Sequence, residues 1–271
     1  MNFILYLIIF AMGITFGSFC TLAVYRIPRG ENITHKRSYC TTCQHKLSFW
    51  DMIPVFSYLF LGGKCRYCGE KIRPRYFILE ICSGFVFVLL AFSIQLNIFS
   101  FEIDKYVYLF FGMLYFMSLF ILAGIDKEKI HIENSVLIFL TIVVACYMVY
   151  LYVVEQTNMY RYAIYLALIC CLVAFNTYSL HKKAKDNYTI GVLILSMLMV
   201  TFTYEGQFVL TVILTLLSIA FDILLQKIRL NRRKCKKVDP KESLPIPIGF
   251  YLCVSNILVV ILTNIYFLIG D

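Results

Sequence analysis

Phe3-Ile-Leu-Tyr-Leu-Ile-Ile-Phe-Ala-Met-Gly13-Ile-Thr-Phe-Gly17-Ser-Phe-Cys-Thr-Leu-Ala-Val24 contains no charged side chain. It is long enough to cross a bilayer, whose hydrocarbon core takes about 20 helical residues. No basic residue precedes the run, and Tyr25-Arg26-Ile27-Pro28-Arg29 follows it. A secretory signal would instead begin with a basic region and end at a small-residue cleavage site. The stretch is therefore read as a retained membrane helix. Gly13 and Gly17 form a small-xxx-small face for close helix packing rather than for chemistry.

Moving outward, a polar insert from Arg26 to Arg75 breaks the apolar character. It holds Cys40-Thr41-Thr42-Cys43 and Cys65-Arg66-Tyr67-Cys68. Two Cys-x-x-Cys pairs suit a tetrahedral four-thiolate zinc site, because two intervening residues let each pair wrap the metal in one tight turn. The separation between the pairs lies just past the common range of about 15–20 residues. A disulfide clip or incidental thiols are the alternatives.

Composition extends the membrane reading to the whole chain. Of its 271 residues 61% are hydrophobic and 15% charged, with a mean hydropathy of +0.78. A soluble domain lies nearer 45–50% apolar and about 25% charged. Further apolar runs fall near 76–97, 104–125, 132–154, 160–180, 189–204, 207–226 and 245–268, predicting eight transmembrane helices. The predicted division is a first helix at 1–25, a zinc-binding insert at 26–75 and a seven-helix core at 76–271.

The net charge of +9 needs no nucleic-acid partner, because the basic residues are distributed as in a membrane protein. They gather in the insert, after the third span (Lys127, Lys129), at 181–188 and at 227–243. Only Lys105 and Arg161 fall on the opposite side. Those four loops alternate, so the positive-inside rule places them in the cytoplasm and both termini outside. A reducing cytoplasm further favours zinc over a disulfide.

Acids near the cytoplasmic face are the candidates for chemistry. Asp126 ends a span and Asp186 precedes the shortest one; for each, the alternative is a solvated loop acid among lysines. Glu80 and Asp222 lie inside spans, where an acid is costly and a functional candidate by default. For these two the alternative is a structural hydrogen bond between helices. The four His (His35, His45, His131 and His181) all lie in polar loops. No grouping of Ser, His and Asp offers a competing nucleophile. His45 stands beside the Cys pairs, as a supporting group to zinc or simply exposed.

Arg26-Ile-Pro-Arg-Gly30, the two Cys pairs, Asp51-Met-Ile-Pro54, Gly62-Gly-Lys-Cys65 and Arg75-Tyr76-x-x-x-Glu80 follow one another in an order that resembles the amino-terminal signature of type IV prepilin peptidases. These are bifunctional leader peptidases and N-methyltransferases of bacterial membranes. The segment from Asp126 to Val136 resembles the surroundings of the family's first catalytic aspartate. Pro245-Ile-Pro247-Ile-Gly249-Phe-Tyr-Leu252 resembles its last helix start. The resemblance implies Asp126 and Asp186 as a catalytic pair and a prepilin or pseudopilin helix in the bilayer as substrate. It also implies S-adenosylmethionine as methyl donor, with Glu80 as the residue associated with substrate docking and methyl transfer.

Two departures stand out. The family's Gly-x-Gly before the second aspartate is Lys183-Ala184-Lys185 here, and Glu133 replaces a proline after the first. Lysine does not supply the close approach or positive φ that glycine permits. These departures motivate an alternative, a catalytically weakened membrane scaffold for pilus or secretion assembly. A zinc-dependent transporter or sensor is a third reading; it expects further His or acid ligands within the spans, and the spans hold no His.

Overall fold

The computed structural model describes residues 2–33, 38–40, 42–97, 99, 102–155, 160–181, 188–203, 205–234 and 246–270. Among them there is no β-strand, only two isolated antiparallel bridges, Tyr39 with Lys46 and Lys64 with Lys71. The helices are α1 (Asn2–Arg26), α2 (Phe56–Phe60), α3 (Pro74–Ser93), α4 (Ile103–Lys129), α5 (Asn134–Glu155), α6 (Tyr160–His181), α7 (Tyr188–Phe202), α8 (Glu205–Lys234) and α9 (Ile248–Gly270). The chain is an all-α, multi-pass membrane protein.

Each apolar run of the sequence is a helix. Among the described residues, six stretches are long and apolar enough to cross a bilayer: Asn2–Arg29, Pro74–Ser93, Ile103–Lys129, Asn134–Val154, Gly206–Ile228 and Ile248–Leu268. Of the other two apolar helices, α6 (Tyr160–His181) has 22 residues and holds the apolar stretch Ala163–Tyr178, while α7 (Tyr188–Phe202) is the shortest. The 15 residues of α7 extend about 22 Å, against about 30 Å of hydrocarbon.

The chain forms two compact units, Met1–Met117 with Asn264–Asp271, and Ser118–Thr263. In the first, α1 packs along α3 through its glycines. A Cβ on Gly13 would stand 2.7 Å from Gly84 Cα, and one on Gly17 would stand 2.9 Å from Glu80 Cα. Ser83 Oγ donates to the Gly13 carbonyl at 2.7 Å across the same seam. Small residues thus let two backbones touch where lipid offers no hydrophobic drive for association. Pro74 opens α3 at a position whose missing N–H costs nothing.

The second unit is tied by polar pairs between helices. Asn176 Nδ2 donates to Asn134 Oδ1 (3.3 Å), Asn256 Nδ2 to Thr211 Oγ1 (3.3 Å) and Gln207 Nε2 to Thr263 Oγ1 (2.8 Å). At the end of α4 the Ile130 N–H closes on the Asp126 carbonyl at 2.8 Å, with Ile130 at φ +52°. That conformation is uncommon for a β-branched residue. It turns the chain so that Ile132 packs where Gly191 of α7 and Gly249 of α9 leave room. A Cβ on either glycine would meet Ile132 at 2.8 or 2.6 Å.

Candidate functional site

The four cysteines come together. Their Sγ atoms all lie within 4.8 Å of one another, and Cys40 and Cys68 are 3.9 Å apart. Zinc at about 2.3 Å from each sulfur would set tetrahedral sulfurs about 3.8 Å apart, so the donor set fits the ion. All four are free thiols rather than disulfides.

The two pairs build matching turns. Gln44 N–H bonds the Cys40 carbonyl (2.9 Å) and Gly69 N–H the Cys65 carbonyl (3.0 Å). Gln44 and Gly69 both have positive φ, 58° and 71°. Cys40 N–H then reaches the His45 carbonyl and Cys65 N–H the Glu70 carbonyl, closing each loop. Backbone donation, chiefly from Cys43, pulls the Cys40 thiol down to about 6. At Cys68 the Glu70 N–H works the same way, but desolvation and the crowded sulfurs of Cys65, Cys43 and Cys40 outweigh it and push that thiol up to about 12. Thiols this close resist ionising together, and a divalent cation removes the conflict.

Asp51 locks the second turn in place. Desolvation acts against its charge, but Ser48 donates through N–H and Oγ, Arg66 through Nε at 2.6 Å and Tyr67 through its hydroxyl at 3.1 Å. The carboxyl is consequently held down at about 2. His45 is exposed, and its ring lies against Tyr67 with centroids 3.7 Å apart, so one turn leans on the other.

Glu80 is buried. Its Oε2 accepts the Val55 N–H at 2.7 Å, and the Ser18 side chain hydrogen-bonds the same carboxylate. Val55 has φ +64° and ψ −55°, and Phe56 N–H reaches back to the Pro54 carbonyl at 2.6 Å. This is the rare, strained form of γ-turn. On a β-branched residue it stores about 1–3 kcal/mol.

In the second unit, Asp126 is fully buried inside the last turns of α4 rather than a solvated loop acid. Its Oδ2 accepts the Phe250 N–H at 2.8 Å and the Tyr188 hydroxyl at 3.1 Å. The same hydroxyl accepts the Gly249 N–H at 3.1 Å. Among the described residues nothing donates to Oδ1. Gly249 lets the carboxylate reach the α9 N-terminus, for a Cβ there would stand 3.0 Å from Oδ2. Lys127 Nζ sits 4.4 Å from the centroid of the Phe250 ring. Asp186, with Lys183 and Lys185, lies outside the described residues. Asp222 accepts from Gln226 Nε2 at 2.9 Å and from Tyr251, the structural link between helices that was its alternative.

Residues 11–94 match the bacterial peptidase A24 N-terminal domain. The chain is also similar to prepilin leader peptidase/N-methyltransferases: 32% identical over 126 residues to that of Klebsiella pneumoniae, 44% of this chain and 51% of the relative. With that of Vibrio cholerae it is 41% identical over 98 residues, 33% and 37% of the two chains. With that of Bacillus subtilis it is 32% identical over 134 residues, 49% and 50%. The chain thus matches about half, or less, of the length of these curated relatives. No solved structure matches it.

The A24 match takes in Gly13, Gly17, the cysteines, Val55 and Glu80, and stops before Asp126. Tyr188, Gly249 and the Phe250 N–H were not singled out from sequence as partners of that acid. The only pointer was the Pro245-Ile-Pro247 helix start, which announces α9 but not what its first amides hold.

Proposed function

We propose that this protein is a membrane aspartyl endopeptidase that removes the short basic leader of type IV prepilins or pseudopilins at the cytoplasmic face of a bacterial cell membrane. The observation that supports it best is Asp126, fully buried against the α9 N-terminus, with one oxygen doubly held and the other without a partner among the described residues. The likeness to prepilin leader peptidases supplies the substrate class.

Peptide hydrolysis without a nucleophilic side chain needs a water that loses a proton and a leaving amine that gains one. Two close carboxylates do both by sharing a single proton, since like charges a few ångströms apart do not readily ionise together. Here Oδ2 is fixed by the α9 amide and Tyr188, which leaves Oδ1 to face the water or the second acid. Asp186, two residues before Tyr188, is that second acid in this reading. The Cys40, Cys43, Cys65 and Cys68 site would hold a structural zinc that cross-links the insert. Glu80 is assigned to substrate docking and methyl transfer, with S-adenosylmethionine as the donor of the methyl group. The insert lies in the cytoplasm and the termini outside.

The test is cleavage of a co-expressed prepilin followed on a gel. Asp126→Asn and Asp186→Asn each abolish leader removal while the protein remains in the membrane. Full cleavage by Asp186→Asn would remove that residue from the pair and direct attention to Asp222→Asn. Absence of cleavage by the unmodified chain would favour the non-catalytic scaffold suggested by Lys183 and Lys185.

A further inference from the structure

The insert exposes an apolar surface that neither the zinc site nor the acids use. Phe60 is 86% exposed, Trp50 71% and Phe49 69%, with Leu59 and Phe56 also more than half exposed. These side chains crowd into twelve consecutive residues of a polar, basic insert, outside every candidate span. Singly, exposed apolar residues need no explanation; a contiguous group of this size does.

Its depth is set by two contacts. Val55, which leads into α2, is hydrogen-bonded to Glu80, the seventh residue of α3. Within α2, Tyr58 stacks on Phe77 with ring centroids 4.9 Å apart and planes at 21°. Glu80 lies about 9 Å along the helix axis from Pro74. With 20 residues, α3 is about 30 Å long, no longer than the hydrocarbon it must cross. Its first two turns, which open on Pro74 and Arg75, therefore lie at the membrane boundary. From the other side, Ser18 meets the same carboxylate, and it lies about two turns inside α1 from Arg26. Both spans place α2 at the level where the acyl chains begin.

We infer that Phe49–Phe60 is an interfacial anchor, its exposed aromatic and aliphatic side chains seated at the headgroup–acyl boundary of the bilayer. An exposed apolar surface at that depth meets lipid. Trp and other aromatic rings favour this zone. The exposed Arg29 and Arg73, which flank the two spans, supply the positive charge that anionic headgroups attract. The zinc-bearing insert therefore lies against the membrane rather than projecting from it. This does not depend on the peptidase reading.

Trp50 is the chain's single tryptophan, so its emission reports this surface in the unmodified protein. The full chain is reconstituted into phosphatidylethanolamine and phosphatidylglycerol vesicles, with or without bromine on the upper acyl chain. Bromolipid lowers the emission at least about twofold, as for a ring about 5–10 Å into the interface, and iodide on both faces has little effect. Trp50→Phe with Phe60→Trp moves the reporter to α2 and gives the same pattern. Strong iodide quenching without bromolipid quenching would overturn the anchor. Iodide quenching that vanishes only when an apolar helical peptide is added would overturn it too, showing a peptide-docking face.

Discussion

The Tyr188 hydroxyl donates to Asp126 Oδ2 at 3.1 Å and accepts the Gly249 N–H at the same distance, joining α4, α7 and α9 through one oxygen. Tyr188→Phe keeps the ring and removes only this link. The Gly249 N–H is then left without its acceptor, a loss of about 1–3 kcal/mol. Asp126 keeps the Phe250 N–H but can swing about it. In the proposed reaction a shift of about 1 Å costs up to about 100-fold. The expected outcome is a large fall in kcat with KM nearly unchanged, read on a prepilin peptide together with the thermal midpoint of the variant.

Gly249→Ala tests the same junction from the opposite side. The added methyl would meet Ile132 Cδ1 at 2.6 Å and Asp126 Oδ2 at 3.0 Å. Neither neighbour can retreat freely, because Ile132 is buried and Asp126 is doubly bonded. Overpacking of this kind costs about 1–3 kcal/mol. Gly206→Ala is the control: nothing lies within 4 Å of its Cβ position, and alanine for glycine at a compatible backbone conformation gains about 0.4–1 kcal/mol. Thermal unfolding in detergent should separate the two in sign.

How far these features were legible depends on the range of the interaction that makes them. The helices follow from runs of apolar residues, which any window of the chain displays. The cysteine turns follow from Cys spacing, because each turn closes within a few residues. Asp126 was visible, but its burial was not: Lys127, Glu128 and Lys129 beside it read as a solvated loop. Its partners come from Tyr188 and Phe250, far along the chain, and one of the 20 Tyr residues carries no mark of that duty. Val55 was missed for the opposite reason. A β-branched residue is the last expected at positive φ, and only the Glu80 carboxylate explains its turn.

Metal removal should act on the insert alone at first. Structural zinc contributes about 10–16 kcal/mol to folding in small peptides, more than these short turns could replace. Zinc analysis should find one ion per chain, lost in a Cys40→Ser, Cys68→Ser double variant. Limited proteolysis should then cut between residues 38 and 72 while the spans stay protected. A protected insert without metal would show that hydrogen bonding alone holds the cysteines together.

Asp51 makes the insert acid-sensitive in a defined direction. Its folded carboxyl is held at about 2, below the ordinary 3.8. A depressed acid stabilises the fold above its unfolded value, and that contribution fades as pH falls from about 4 toward 2. Asp51→Asn should weaken the insert at neutral pH, through loss of the charge-assisted bond from Arg66 Nε. The difference from the unmodified protein should shrink through that window. Proteolysis with an acid-active protease, compared with the same assay at pH 7, measures it; a difference that widened on acidification would contradict the assignment.

Glu80 offers the finest separation, because its charge and its acceptor can be removed independently. Glu80→Gln keeps an oxygen for the Val55 N–H and deletes the charge. Glu80→Leu deletes both, freeing Val55 from a conformation that stores about 1–3 kcal/mol. If the carboxylate serves only to hold the turn, Glu80→Gln behaves as the unmodified protein and Glu80→Leu loosens the insert. If Glu80 acts in docking and methyl transfer, as proposed, Glu80→Gln abolishes transfer of labelled methyl from S-adenosylmethionine to a cleaved prepilin and raises KM for leader removal while leaving its kcat intact. Val55→Gly completes the set: glycine adopts positive φ without strain, so the turn forms without help. Restored insert stability in Glu80→Leu with Val55→Gly, with methyl transfer still absent, would assign the two roles of Glu80 separately.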